Sequence, residues 1–178
     1  MTSPSYTKAV KKLRKAIVER CADEELEHEV KAYTAEEVAT FEATHEVQLP
    51  ACLRELMLSV GPIGEPLLHY SRLDLPDAEA VATMKAPCPL SVENTTEVKG
   101  RRRFDPTKHD VAYRQGTLLL GVREDDEVEA FLVCNGPFAG QVFCDLYGYF
   151  GEFDVMSAGD FFDVLTEAVE PREGAALA

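Results

Sequence analysis

The chain lacks the features that announce the commonest chemistries. No apolar run approaches the roughly 20 residues needed to cross a bilayer, and Met1 to Arg20 has no central apolar block of a signal peptide. The expected location is therefore the cytoplasm, with no membrane partner. The five cysteines, Cys21, Cys52, Cys88, Cys134 and Cys144, are odd in number, widely spaced and free of any CxxC pair. Free thiols in a reducing compartment are expected, not a zinc or disulfide framework. The four histidines, His28, His45, His69 and His109, show no HxxxH or HExxH spacing, so no metal site is assigned. A GxGxxG turn, a phosphate-cradling GxxxxGK loop and a GxSxG elbow are all missing. Folding could bring Cys52, His45 and an acid together, but the acidic stretch around Cys52 offers no electropositive neighbour to hold a thiolate. No catalytic residue and no cofactor is expected.

Positive charge is scarce as well. Eighteen Lys and Arg face 32 Asp and Glu, a formal net charge of −14. Affinity for nucleic acid comes largely from neutralised phosphates, so general nucleic-acid binding is disfavoured. The deficit is uneven. Residues 1–20 carry six basic residues and one acidic, residues 21–60 two and ten, residues 61–115 eight of each, and residues 116–178 two and thirteen.

What is present suits a packed domain. Of 178 residues, 46% are hydrophobic and 28% charged, which is not the composition of a disordered chain. Val10, Leu13, Ile17, Leu26 and Val30 recur at near-helical spacing, so one long or two short amphipathic helices are expected within residues 7–32. Lys8, Lys11, Lys12, Arg14 and Lys15 make its other side basic, a face expected to dock on the acidic domain. Thr34 and Glu37 form a capping box that starts a helix ending near Glu46. Pro50 suits the first turn of the next, in which Leu53, Leu56, Met57 and Val60 follow at i, i+3, i+4 and i+7 before Gly61. Residues 64–115 are broken by prolines; Asp77 to Lys85 can form a short helix, and Lys99 to Arg103 reads as a solvated loop. Thr117 to Val122, Val128 to Cys134 and Gln141 to Leu146 read as strands of an antiparallel meander. Ser157 and Asp160 then cap a final helix bearing Phe161, Leu165 and Ala168, which Pro171 stops.

Two features are candidate contact sites. Glu124, Asp125, Asp126 and Glu127 fall between two strands of the meander. A calcium loop wants alternating ligands and a turn glycine, and catalytic carboxylates want distinct environments, so the run reads either as a solvated turn or as a patch that steers a basic partner. Tyr147 and Tyr149, spaced by glycine, are candidate anchors, because tyrosine is enriched at interface hot spots. They belong to a group of seven aromatics within residues 143–162, most of which are expected in the core beneath the last helix.

The order of these elements resembles the SUKH superfamily, which includes fungal cell-wall-synthesis regulators and bacterial toxin-immunity proteins. Four stretches carry the resemblance: Thr34-Ala35-Glu36-Glu37, Leu49-Pro50 followed by Leu53-Arg54-Glu55-Leu56-Met57, Gly140-Gln141-Val142-Phe143, and Asp160-Phe161-Phe162-Asp163-Val164-Leu165. Gly61-Pro62-Ile63-Gly64 replaces the family's usual Asn-Gly-Gly-like turn, and Asp160 and Val164 stand where the last helix often has serine and phenylalanine. The resemblance implies an α+β domain, with helices packed against a mostly antiparallel sheet of about four to six strands, that binds protein and has no enzymatic activity. Residues 34–172 would form it, 1–33 would be an N-terminal helical extension and 173–178 a tail. In the immunity branch the partner would be a basic toxin domain, commonly one acting on nucleic acid. An adaptor of the same fold, or a ligand-binding domain or enzyme with a pocket between helices and sheet, are the other readings.

Overall fold

The computed structural model describes residues 6–26, 31–65, 67–68, 73–98, 101–105, 112, 114–123, 128–145 and 155–170. Five helices and six strands lie within them, in the order α1 (Thr7–Asp23), α2 (Ala35–His45), α3 (Ala51–Ser59), α4 (Ala78–Lys85), β1 (Thr95–Val98), β2 (Arg101–Phe104), β3 (Thr117–Arg123), β4 (Val128–Val133), β5 (Gln141–Asp145), β6 (Val155–Asp160) and α5 (Phe161–Val169). The strands form one antiparallel sheet in the order β1-β2-β6-β5-β4-β3. The class is α+β, as expected. None of these helices is long and apolar enough to cross a membrane.

The main core covers one face of the sheet. Leu118, Leu120, Leu132 and Val142 meet Val38 of α2, Leu53, Leu56 and Met57 of α3, and Phe161, Phe162, Leu165 and Val169 of α5. Helix α1 joins this same core through Val10, Leu13, Ala16 and Ile17, while Lys8, Lys11, Lys12, Arg14 and Lys15 remain exposed. The helix expected to dock through its basic face docks through its apolar stripe. Hydrophobic transfer outweighs surface ion pairing there: Lys12 comes only within 4.0 Å of Glu170, with both side chains more than half exposed. The Arg14 guanidinium does donate to the Ser59 carbonyl of α3.

Arg20 is the exception among the basic residues of α1, only 7% exposed. Its Nη1 donates to the carbonyls of Leu67 at 3.3 Å, Ala168 at 3.3 Å and Val169 at 3.5 Å. The last two belong to the C-terminal turn of α5, whose carbonyls have no partner within the helix and where the helix dipole also favours a cation.

Caps fix the other helices. The Thr34 hydroxyl accepts from the Glu37 N–H at 3.2 Å, and the Glu37 carboxylate accepts from the Thr34 N–H at 2.7 Å. Helix α2 ends on Glu46 in the left-handed region (φ 48°). The Glu42 carboxylate then accepts from the Leu49 N–H at 3.0 Å and pairs with Arg54 at 3.4 Å, which locks the linker onto α3. Gly61 (φ 87°) closes α3 where a Cβ would stand 2.3 Å from the Lys31 carbonyl oxygen, so no other residue fits.

A second, smaller core lies on the opposite face: Phe104, Phe131, Val133 and Phe143 from the sheet, covered by Leu90 and Phe138. The aromatics of the C-terminal half therefore divide. Phe161 and Phe162 lie beneath the helices and Phe143 lies on the other side. Two local readings are corrected. Arg101 to Arg103 are not loop but an interior strand between β1 and β6, in which Arg102 stacks over the Phe138 ring at 5.3 Å and donates to Thr95 Oγ1 at 3.2 Å. A long arginine stem can cover apolar surface while its head stays polar-bonded. Ser157 lies in β6, and Asp160 alone is the cap, accepting from the Phe162 N–H at 3.0 Å.

Two outcomes follow. Arg20→Ala should cost about 3 kcal/mol in urea unfolding, because several buried carbonyls lose their donor; a loss below about 1 kcal/mol would remove the tie. The Glu37 carboxyl should titrate below the ordinary 4.5, held down first by the Thr34 N–H and then by its hydroxyl. This contribution to stability is complete above the unfolded value and is lost as pH falls through the lower folded one. Carboxyl NMR should show the midpoint rising only partway in Thr34→Ala, which removes the hydroxyl and keeps the backbone N–H.

Candidate functional site

The residues singled out from sequence, Glu124, Asp125, Asp126, Glu127, Tyr147 and Tyr149, all lie outside the described residues. The structure supplies the frame of the first four. Arg123, the last residue of β3, pairs with Val128, the first of β4. The acidic run thus falls in sequence between two directly opposed strand ends.

Among the described residues, the cysteines and His45 sit in packing environments. Cys52 is buried in α3, and burial pushes its thiol up to about 12, with the Asp160 carboxylate adding to the shift. Burial also pushes Cys134 up to about 12 and raises Cys88. These thiols stay protonated near neutrality, which favours packing over reaction. His45 packs against Phe41 of its own helix, with ring centres 4.5 Å apart and planes tilted by 37°. No group of three or more His, Cys, Asp or Glu suited to a metal occurs among the described residues.

The described residues do shape an open cleft of about 560 Å³ beside β3. Its lining is mixed: Leu73, Leu75, Pro76, Ala80, Leu118 and Leu119 are apolar, Thr83 and Thr117 are polar, and Asp74, Asp77, Glu79 and Arg114 bring charge. Its walls are built locally. Asp77 caps α4 by accepting from the Ala80 N–H at 2.8 Å, and Asp74 accepts from the Tyr33 hydroxyl at 2.7 Å. The other end of α4 is held by Asn135, whose Nδ2 donates to the carbonyls of Met84 at 2.9 Å and Ala86 at 2.8 Å. Its Oδ1 accepts from the Cys88 N–H at 2.8 Å, and the Gly116 N–H donates to the Thr83 carbonyl at 2.9 Å.

Leu119 stands out within this cleft. It is 53% exposed although flanked by buried Leu118 and Leu120, because alternation turns it to the face opposite the helices, across from Phe131. Arg123 follows it by four residues, about 13 Å along the strand. Sequence reasoning identified the strand but could not face it, since Thr117 to Val122 is apolar on both sides. A short helix over Asp77 to Lys85 is legible in the sequence; its place opposite β3 is not.

Asn135→Ala should loosen α4 while leaving α1 and α5 intact. Amide hydrogen exchange should rise severalfold in residues 78–90 and stay unchanged in residues 161–169; a uniform rise would mean that Asn135 is not a local clasp. No protein-family model, curated protein or solved structure gives a significant match to this chain.

Proposed function

We propose that this chain is a SUKH-type protein-binding domain without enzymatic activity, which acts as an immunity protein by occluding the basic surface of a cognate toxin domain. The observation that carries the reading is the charge of the C-terminal third: thirteen acidic residues against two basic in residues 116–178. A toxin that grips phosphates must be basic, so an acidic protein can be steered to it and cover its active site with no chemistry of its own. The stretches that carry the family resemblance fall at the start of α2, in Leu49 and α3, at the start of β5, and in α5. Burial holds the Cys52 and Cys134 thiols protonated, which suits a packing role for them.

The partner should be recovered by pull-down from the native cells and identified by mass spectrometry. If it is a basic toxin domain, an equimolar amount of this chain should suppress its activity; undiminished activity at saturation rules out immunity. Changing Glu124→Gln, Asp125→Asn, Asp126→Asn and Glu127→Gln together should slow association about tenfold or more at low salt. The difference should shrink as added salt shortens the screening length. An unchanged rate would take the acidic run out of the interface.

A further inference from the structure

We propose that the outer edge of β3 receives an extended, basic segment of the partner protein as an added strand, seated in the adjoining cleft. The proposal rests on the protein-binding part of the function given above and names how that binding is made.

Strand β3 ends the sheet and, among the described residues, is paired along one side only, with β4. An unpaired strand edge offers a row of backbone donors and acceptors, and an incoming strand gains affinity from these and specificity from alternate side chains. Beside this edge lies the cleft of about 560 Å³, with Leu75 and Leu118 in its lining and Leu119 more than half exposed. Leu119 is one of only three large apolar side chains exposed to that degree among the described residues. An apolar side chain of the added strand would cover it.

Charge selects the occupant. Asp74, Asp77 and Glu79 outnumber Arg114 around the cleft, and the chain beyond Arg123 continues with four acids. Lysine or arginine at alternate positions of the added strand would meet this rim. A second copy of β3 is a poor occupant. Antiparallel self-pairing would set the Arg123 end of one copy, which leads into the acidic run, beside the acidic rim at the Thr117 end of the other. Like charges brought together in this way act against self-association.

The register shift between Leu119 and Gly121, where Gly121 has φ 147°, limits how far a straight strand can follow the edge. Pairing is therefore centred on Thr117 to Leu119, and side-chain burial and charge supply the rest.

The test uses the full chain, isotope-labelled, and an eight-residue peptide alternating lysine with valine, together with a copy N-methylated at every second residue to block strand pairing. The unmodified peptide should shift the amides of Thr117 to Gly121 at low salt and slow their hydrogen exchange, and the methylated copy should bind at least tenfold more weakly. Leu119→Lys and, separately, Glu79→Lys should each weaken binding severalfold; both residues are exposed, and unchanged melting curves would verify the fold. Absence of β3 shifts at millimolar peptide overturns the proposal. Equal binding by the methylated copy overturns it too, since charge attraction alone would then suffice. A natural partner whose capture depends on Glu124 to Glu127 but leaves β3 exchange unchanged also overturns the edge site, while the proposed function stands. Peptide seated on β3 together with a toxin left fully active supports the edge site and overturns immunity alone.

Discussion

The side-chain amide of Asn135 closes three backbone hydrogen bonds at once, and the arrangement around the β3 edge depends on it. Its oxygen takes the Cys88 N–H, and its nitrogen supplies the Met84 and Ala86 carbonyls, the first of which belongs to the last turn of α4. Only an amide carries one acceptor and two donors in a plane. Aspartate would set its charge against two carbonyl oxygens, and a hydrophobic residue would leave all three groups without partners. The clasp also fixes the segment that carries Leu90 over Phe104, Phe131 and Phe143. One polar residue after β4 thus holds both a wall of the cleft and a cover of the second core.

That second core explains why the molecule is unequal on its two sides. A sheet with apolar side chains on both faces needs both covered. Helices α2, α3 and α5, with α1 across them, cover one face, and Arg20 ties α1 to the end of α5. The other face is covered by loop residues, with Phe138 roofed by Arg102. Loop cover reaches only part of the sheet. It stops short of Leu119, which would be core if a helix lay over it, and the exposed edge is a consequence of how the far face is closed.

The sequence reveals the elements whose local signals agree with their final environment. Thr34 and Glu37 cap a helix in any context, and Leu53, Leu56 and Met57 define one face whatever packs against it. The meander of β3 to β5 is legible for the same reason, since its apolar runs end in Gly and Asn. Strands β1, β2 and β6 are not. Two are only four residues long, Arg101 to Arg103 looks like a charged loop, and Ser157 and Gly159 dilute the third. Their strand state is imposed by pairing partners far away in the chain, as with Arg103 and Met156, which no local window contains. The candidate site divides in the same way. Acidic charge is visible as composition, whereas the exposure of Leu119 and the approach of Asp77 and Glu79 to β3 follow from tertiary packing.

Two readings of the acidic run between β3 and β4, a device for solubility and a contact for a partner, turn out to require the same physics. An edge strand that carries an exposed leucine invites pairing with any other strand, including its own copy. Negative charge at one end of that strand and around its cleft raises the cost of every such encounter unless the incoming strand is basic. The charge need not be balanced within the molecule to do this. The lysines of α1 remain on the surface of a helix whose apolar side is fixed in the main core, so they are not free to move across and neutralise the β3 edge. On the proposed reading, protection against self-association and selection of a basic partner would be one electrostatic barrier met by two kinds of visitor, and removing the charge would weaken both together.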